Sequence, residues 1–278
     1  MSPMDVAAAL ASAVLHAGWN AAIKASRNPA QAMTAQMLLG AVLAVPVLFW
    51  SGLPHPAAWG WIAASTFLNV VTISALLRAY ELGGFGIVYP VTRSVAVLLV
   101  VPFAALLIGE QLGPGGLLGV VVVASALALL AWDAGRSLGV ARAAMGWTLL
   151  AGLGTAAYIM CDAQGVRASG SPWAYGFVVS VTNALAMSWR QRRSGPPWRQ
   201  VSSQWRLALP VAIASMASYL LILWVWSHAP VAPAAALRDT SAIFAVLIAV
   251  LWLKEPFTRL RIAAVVLAAA AVPLLRLG

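Results

Sequence analysis

The chain has 278 residues, of which 62% are hydrophobic and only 9% are charged, and a formal net charge of +10. Soluble domains carry roughly 25% charged residues, so this composition excludes an ordinary water-soluble domain and indicates a membrane protein. A cytoplasmic face rich in Lys and Arg accounts for the positive charge without any nucleic-acid partner.

Ten segments come close to the roughly 20 mostly apolar residues that a membrane-spanning helix requires. In chain order they are Pro3–Ile23, Ala30–Trp50, Ala57–Leu77, Gly84–Ile108, Leu112–Trp132, Ala143–Val166, Pro172–Trp189, Trp205–Ser227, Pro230–Leu253 and Phe257–Leu275. The first has neither a basic leading region nor a small-residue cleavage pattern, so it is predicted to be a retained span. The predicted fold class is an all-α integral membrane protein with ten transmembrane helices.

Two of these spans share a pattern of charged residues. Arg93 lies inside the fourth span and Glu110 at its exit, while Arg238 lies inside the ninth and Glu255 at its exit. Both pairs are separated by the same offset of 145 residues. Charged residues are too scarce in this chain for such a match to be expected by chance, so the offset predicts a duplicated unit.

The polar connector after the fifth span divides the predicted helices into two groups of five. We therefore expect a first five-helix repeat at residues 1–138 and a second at residues 139–278. An odd number of spans in each half requires the second half to insert in the opposite sense. Inverted repeats around a central cavity are the plan of many secondary transporters.

The distribution of Lys and Arg predicts how the chain is oriented. Thirteen of the 17 lie in or beside the odd-numbered loops, and only Arg167 and Arg276 lie on the opposite side. The positive-inside rule then makes the odd-numbered loops cytoplasmic and places both termini on the outer side of the cell (inner) membrane.

Polar residues inside the spans predict the lining of the cavity, because such residues are costly in lipid and face a cavity or a partner. They are concentrated in spans one, three, four, six, eight and nine, so the other four are expected to form an outer wall. The predicted substrate-binding residues are His16, Trp19, Asn20, Asn69, Thr72, Tyr89, Arg93, Tyr158, Ser215, Tyr219, Arg238 and Asp239.

Several polar residues also have a purely structural interpretation. Arg93 can extend to the cytoplasmic headgroups, and Arg238 can extend outward or form a structural ion pair with Asp239. His16 can hydrogen-bond to a backbone carbonyl instead of carrying a proton. Asp162 lies near the outer end of the sixth span and is predicted to be solvated, not to bind a proton.

Motifs for other chemistry are absent from the sequence. It contains no G-x-x-x-x-G-K-[ST] loop, so ATP hydrolysis through a P-loop is excluded. With 3 His and 1 Cys and no H-E-x-x-H or C-x-x-C motif, neither a metal nor another cofactor is expected. A membrane-embedded lipid-modifying enzyme is a further alternative, but Asp133, Asp162 and Asp239 do not cluster in the sequence, so the prediction is a non-enzyme.

Two short signatures lie between the last two spans of each half: Gly109-Glu110-Gln111-Leu112 and Lys254-Glu255-Pro256. With ten spans in two repeats, they resemble the drug/metabolite transporter superfamily of EamA type, although Lys254 stands where the first signature has glycine. The resemblance implies a structural role for Glu110 as a cap of the next helix. The stretch from His16 to Asn20 resembles the amino-acid exporter branch, aromatic amino acid exporters in particular.

The resemblance implies export of a small metabolite by alternating access, with amino acids that have apolar or aromatic side chains favoured as substrates. Arg238 would then bind the carboxylate, Asp239 would hold Arg238 or receive the ammonium group, and Trp19 and Tyr89 would flank the side chain. A passive facilitator, or an exporter of other metabolites or drugs, remains an alternative within the same fold. The expected partners are a small-molecule substrate and the lipid bilayer; the oligomeric state stays open.

Overall fold

The structure is a computed structural model that describes residues 1–83, 85–135, 142–252 and 258–277. The regular structure in these ranges is helical, which confirms the predicted all-α class. The α-helices are α1 (Pro3–Ala25), α2 (Pro29–Ser51), α3 (Trp59–Gly83), α4 (Phe85–Ile108), α5 (Pro114–Gly135), α6 (Arg142–Ala168), α7 (Pro172–Arg190), α8 (Pro197–Trp226), α9 (Val231–Asp239), α10 (Ser241–Trp252) and α11 (Arg259–Leu277), with short 3-10 helices at Pro56–Ala58 and Arg192–Ser194.

Eight segments of the described ranges are long and apolar enough to cross a membrane. One of them, Val231–Ile248, contains α9 and the first part of α10, because this span is interrupted at Thr240. The helices α7 and α11 have 19 residues each and lie outside this set of eight. With α9 and α10 counted as one interrupted span, the helices of the described ranges number ten, as the sequence predicts.

Local signals in the sequence account for where several helices begin. Ser2 and Asp5 form a reciprocal capping box at the start of α1, and the Asn28 side chain accepts a backbone N–H at the start of α2. The amino group of Met1 donates to the carbonyl oxygen of Arg276 at 3.1 Å. The beginning of α1 and the end of α11 therefore lie together, on one side of the bundle, as an even number of membrane crossings predicts.

Eight of the ten spans form a closed ring. The order of neighbours around the ring is α4, α9–α10, α1, α8, α2, α7, α3 and α6, and α6 packs against α4 again. The remaining two helices, α5 and α11, pack against each other outside this ring. Large apolar side chains such as Phe49, Trp50 and Leu106 are exposed on the outer surface, where a bilayer would cover them.

The contacts around the ring keep the same pattern when each span is replaced by its counterpart five spans away in the chain. In the first half α1 contacts α8 and α9, and its counterpart α6 contacts α3 and α4. The pairs α2–α7 and α4–α9 contact each other directly. Two related five-helix units produce this pattern. The boundary predicted between residues 138 and 139 lies in 136–141, outside the described residues, and stays a prediction.

Candidate functional site

A cavity of about 160 Å³ lies inside the ring of eight spans. Eleven of the twelve residues predicted from the sequence line it, namely His16, Trp19, Asn20, Asn69, Thr72, Tyr89, Arg93, Tyr158, Ser215, Tyr219 and Arg238. The exception is Asp239, which is buried behind the lining. The structure therefore brings the predicted residues to one place, and their role in binding stays a prediction.

Two spans that were predicted to form the outer wall also line the cavity. The helix α2 contributes Met33, Gln36, Met37 and Gly40, and α7 contributes Ser180 and Asn183. The prediction for these two spans is therefore wrong. The α2 residues stand at i, i+3, i+4 and i+7, which is one face of a helix, but the low polarity of Met and Gly hides that face in the sequence. Among the described residues, none from α5 or α11 lines the cavity.

The cavity lies towards the ends of the spans that lead to the basic loops. On α1 it is lined by His16 to Asn20, near the end of that helix, and on α2 by Met33 to Gly40, near its beginning. On α4 the lining residues Tyr89 and Arg93 belong to the first half of the helix. These are the ends that join the loops predicted to be cytoplasmic.

Two buried guanidinium groups and one imidazole form a cluster where α1, α4 and α9 meet. Arg93 Nη1 donates to Asp239 Oδ1 at 3.2 Å, and Arg93 Nη2 lies 2.8 Å from His16 Nε2. Arg238 Nη2 lies 3.4 Å from His16 Nδ1. Both arginines are 6% exposed, so neither reaches headgroups. The ion pair of Asp239 with Arg238, one of the alternatives from the sequence, is not formed among the described residues, where the hydrogen-bonded partner of Asp239 is Arg93.

His16 can satisfy only one of its two guanidinium contacts. Guanidinium groups only donate hydrogen bonds, and a neutral imidazole has a single acceptor nitrogen. The shorter contact, with Arg93, is the one with hydrogen-bond geometry typical of such a pair. Arg238 Nε has no hydrogen-bond partner among the described residues either. Arg238 is therefore a buried cation short of acceptors, and it faces the cavity.

Aromatic rings hold this cluster in place. The ring of Trp19 meets the imidazole of His16 edge-on, with 4.9 Å between centroids and an angle of 84°. The guanidinium carbon of Arg93 lies 5.2 Å from the centroid of the Tyr89 ring, a distance typical of a cation–π contact. Tyr89 is 1% exposed, so most of its ring packs against the protein, including Arg93.

Glu110 fixes the start of the helix that carries Arg238. Its carboxylate accepts the backbone N–H groups of Val231 at 2.8 Å and Ala232 at 3.0 Å. Pro230, at the N-cap position of α9, offers no side-chain hydrogen bond, so Glu110 supplies both the acceptor and a favourable negative charge. The expected capping role is thus observed, but on α9 of the other half and not on the next helix.

Gly109 gives a physical reason for the Gly-Glu signature. Its φ is +66°, a conformation that glycine adopts without the usual steric cost and that commonly ends a helix. The next residue, Glu110, donates its backbone N–H to the carbonyl oxygen of Ala104 at 3.1 Å. The turn closes α4 and carries Glu110 to α9. The second signature, Lys254-Glu255-Pro256, lies outside the described residues.

The side of the ring opposite the cation cluster presents acceptors. In the ring order, α3 lies opposite α1 and α7 lies opposite α9. Asn69 Oδ1 on α3 and Asn183 Oδ1 on α7 are buried and have no hydrogen-bond partner among the described residues. Both residues line the cavity. The cavity therefore has a side with guanidinium donors, at Arg238, and an acceptor side where the unpaired amide oxygens of Asn69 and Asn183 lie, although their NH2 groups can also donate.

Asp162 of α6 is a second buried carboxylate, outside the predicted site. Its Oδ1 accepts from Ser65 at 2.5 Å and from Tyr175 at 3.0 Å, and its Oδ2 accepts from Tyr219 at 2.9 Å. Asp162 is 1% exposed, so the expectation of a solvated span end is wrong. Within the described ranges, no cationic side chain forms an ion pair with it. Of its three partners, only Tyr219 lines the cavity.

The polar groups of the cavity can bind a ligand through hydrogen bonds and charge. Within the described residues, the lining contains two guanidinium groups, amides and hydroxyls but no Asp or Glu. No group of three or more His, Cys, Asp and Glu that could hold a metal ion occurs there. A ligand with a carboxylate fits the donor side, and an ammonium group fits the acceptor side.

Comparisons with known proteins agree with this architecture. The model of the EamA-like transporter family matches residues 4–132 and residues 142–277. No curated protein matches the chain. One similar solved structure, described only as "Crystal structure of protein", has a TM-score of 0.77 and 15% sequence identity, and the alignment covers 99% of this chain and 97% of that chain; at this identity the likeness concerns the fold. The protein is thus a multi-pass membrane transporter, and it belongs to the EamA-like transporter family of the drug/metabolite transporter superfamily.

Proposed function

We propose that this protein exports amino acids with uncharged, apolar or aromatic side chains across the cell (inner) membrane by alternating access. The observation that carries the proposal is the buried guanidinium of Arg238, which faces the cavity and is short of hydrogen-bond acceptors, since its Nε has none among the described residues. A carboxylate satisfies such a group with short, charge-assisted hydrogen bonds. The export direction is supported by the family resemblance of the His16 to Asn20 stretch.

The charge balance of the cavity supports a zwitterion over a cation. Arg93 and Arg238 both line it, and among the described lining residues no carboxylate offsets them. Asp239 neutralises Arg93 from behind, whereas no carboxylate of the described residues lies within ion-pair distance of Arg238. An organic cation would be repelled by Arg238, whereas an amino acid carboxylate would be attracted, and its ammonium group would find acceptors among the other lining residues, which include Asn69, Asn183 and Tyr219.

The size and apolar lining of the cavity support a small substrate with an apolar side chain. Its volume of about 160 Å³ is below the roughly 300–1,000 Å³ of pockets that bind drug-sized molecules. Trp19, Leu76 and the methionines Met33, Met37 and Met216 supply apolar surface. Methionine side chains are flexible and polarizable, so they can adjust to aliphatic and aromatic side chains alike.

The test is uptake of labelled L-phenylalanine into proteoliposomes. Arg238→Ala is expected to weaken transport by about tenfold to a hundredfold, the cost of roughly 1.5–3 kcal/mol for a lost hydrogen bond to a charged group. Arg199→Ala is the matched control, because Arg199 is exposed and lies outside the cavity. Unchanged uptake by a well-folded Arg238→Ala variant would reject the proposal.

Two analogues test separately how the carboxylate and the ammonium group of the substrate are recognised. Phenylpropionate keeps the carboxylate and lacks the ammonium group, whereas phenethylamine keeps the ammonium group and lacks the carboxylate. We expect phenylpropionate to compete with L-phenylalanine in the native protein and phenethylamine not to compete. The reverse order would contradict the assignment of Arg238 as the carboxylate site.

A further inference from the structure

We propose that Asp162 is a proton-binding site whose proton competes with the ammonium group of the transported amino acid, with the hydroxyl of Tyr219 joining the two. The inference rests on the proposed transport of an amino acid and adds the energy coupling, which makes the protein a proton antiporter. Three observations carry it: the uneven hydrogen bonding of the two carboxylate oxygens, the double role of Tyr219, and the position of their hydrogen bond across the ring.

The two oxygens of Asp162 differ in how many donors they accept. Oδ1 accepts from both Ser65 and Tyr175, while Oδ2 accepts only from Tyr219. A carboxyl group that binds a proton keeps one carbonyl oxygen as an acceptor and turns the other into an O–H donor. Oδ1 can remain the carbonyl oxygen without losing a partner, so the proton belongs on Oδ2.

A proton on Oδ2 reverses the hydrogen bond with Tyr219. When Asp162 is ionised, the Tyr219 hydroxyl donates to Oδ2 and its lone pairs are left for the cavity. When Oδ2 carries the proton, it donates to the Tyr219 oxygen, and the hydroxyl hydrogen of Tyr219 is free to point into the cavity. Since Tyr219 lines the cavity, the site changes from an acceptor to a donor for the substrate.

This reversal acts against an ammonium group in two ways. The proton removes the negative charge of Asp162, and it replaces a hydroxyl lone pair with a hydroxyl hydrogen at the cavity surface. An ammonium group can only donate hydrogen bonds, so it binds the ionised form better. By thermodynamic reciprocity, binding of the amino acid must then weaken the binding of the proton at Asp162.

The hydrogen bond between Asp162 and Tyr219 also lies where a gate is needed. It joins α6 and α8, which stand opposite each other in the ring, at the ends of the helices remote from the basic loops. Opening the cavity at that end must separate these helices and expose Oδ2 to water. A proton can then enter from the outside as the amino acid leaves, which is the exchange that export against a gradient requires.

Other titratable and charged groups face this region, and any test must distinguish their effects from that of Asp162. Arg238 of α9 and the thiol of Cys161 interact electrostatically with Asp162. Helix α4, which packs along α6, brings Tyr89 and Arg93 to the same cavity. His16 lies beyond the two arginines. His16 is the main competitor for a proton role, because arginines remain charged throughout the accessible pH range.

The experiment measures L-phenylalanine binding to the purified full-length protein by calorimetry between about pH 5 and pH 8, in two buffers of different ionisation enthalpy. In the native protein we expect binding to tighten with rising pH, by up to about tenfold per pH unit, and to release up to about one proton per amino acid. Asp162→Asn should bind with an affinity that does not change with pH and should release no proton. A native protein without this pH dependence would overturn the inference.

Two tyrosine variants provide a matched comparison. Tyr219→Phe and Tyr175→Phe each remove one hydroxyl donor from Asp162, but only Tyr219 lines the cavity. We expect Tyr219→Phe to lose most of the pH dependence of binding and Tyr175→Phe to keep it. If both variants lose it equally, Tyr219 does not link the proton to the substrate and the inference fails. If the pH dependence survives in Asp162→Asn and disappears in His16→Gln, the proton belongs to His16.

Infrared spectroscopy gives a readout that does not depend on the substrate. The C=O stretch of protonated carboxyl groups should grow as the pH is lowered, and the part of this band that belongs to Asp162 should be missing in Asp162→Asn. An Asp162 band that appears while L-phenylalanine fails to bind at any pH would refute the proposed substrate, yet it would retain Asp162 as a proton site. Absence of the Asp162 band throughout the pH range would refute the proton site itself.

Discussion

Asp239 and Asp162 are equally buried, at 1% exposure each, yet they are stabilised in different ways. Asp239 is held by the guanidinium of Arg93, which is charged at every accessible pH. Asp162 is held by three hydroxyl groups, which can either donate or accept. The comparison shows that burial alone does not decide the role of a carboxylate in this membrane protein. Under the proposed proton coupling, the partner decides whether the charge of the carboxylate is permanent or can be exchanged for a proton.

The two environments also differ in how the backbone is built. Asp239 is the last residue of α9, beside the interruption at Thr240, so it and Arg238 lie at a helix C-terminus inside the membrane. A cation is favoured at that end by the exposed carbonyl groups and the helix dipole. Asp162 lies within the uninterrupted α6. The broken span therefore concentrates fixed charges, and the continuous span presents a single carboxylate to neighbouring helices.

The largest difference in stability between the two environments is expected when each aspartate is replaced by asparagine. Asp239→Asn leaves Arg93 as a buried charge without its counter-ion, which typically costs about 3–5 kcal/mol. Asp162→Asn removes a charge that forms no ion pair with the described residues and keeps an amide oxygen for Ser65 and Tyr175, so it should cost less. The measurement is the free energy of unfolding in mixed detergent micelles.

The double variant Arg93→Met with Asp239→Leu sharpens this prediction. It removes both charges and should recover much of the stability that Asp239→Asn loses, since a buried ion pair can often be replaced by apolar residues of similar size. Equal losses for Asp239→Asn and Asp162→Asn would show that the ion pair and the hydroxyl cluster are not energetically distinct.

A smaller effect is expected from crowding the hydroxyl cluster. A Cβ atom added at Gly165 would overlap the ring and hydroxyl of Tyr175, one of the donors to Asp162. Gly165→Ala should therefore displace Tyr175 and destabilise the protein by roughly 1–3 kcal/mol, as other overpacked sites do. Gly146→Ala on the same helix is the control, because a Cβ there meets nothing within 4 Å. Similar thermal stabilities for the two variants would contradict the tight packing of Tyr175.

Much of the fold can be predicted from the sequence because a bilayer imposes simple rules. A span must be long and apolar, and a polar side chain inside it must find a cavity or a partner. Those two rules locate the ten helices and eleven of the cavity-lining residues. These rules do not identify the cavity-facing side of α2, because Met33 and Met37 carry no polarity that would distinguish a cavity from lipid.

The partners of the charged residues could not be predicted from the sequence. Arg93 and Asp239 are separated by 146 positions, and their contact depends on α4 and α9 being neighbours in the ring. Adjacency in the sequence instead suggested Arg238 as the partner of Asp239. The burial of Asp162 has the same origin, since Tyr175 and Tyr219 cover it from two other helices. Such contacts follow from how the two halves pack, which hydropathy does not specify.

The smallest effect in this series concerns Glu110. This residue holds the start of α9 and so acts from a distance on the fixed-charge region, which consists of Arg93, Arg238 and Asp239. Glu110→Ala removes both acceptors from the start of α9 and should cost about 1 kcal/mol, as the loss of a helix cap does. Glu110→Gln keeps one carbonyl oxygen but loses the charge at the helix terminus, worth roughly 0.3–1 kcal/mol. Glu81→Gln is the control, because its ion pair with Arg78 is exposed and such pairs contribute little.

The diagnostic readout for these variants is hydrogen exchange along α9. If Glu110 anchors α9, the amide groups of Val231 and Ala232 should exchange faster in Glu110→Ala than in the native protein, and L-phenylalanine binding should weaken as Arg238 loses its fixed position. The hydroxyl cluster at Asp162 should be unaffected, because the Glu110 carboxylate is not among its partners. If the pH dependence of binding changes as much as the affinity does, the fixed-charge region and the proton site are one coupled unit.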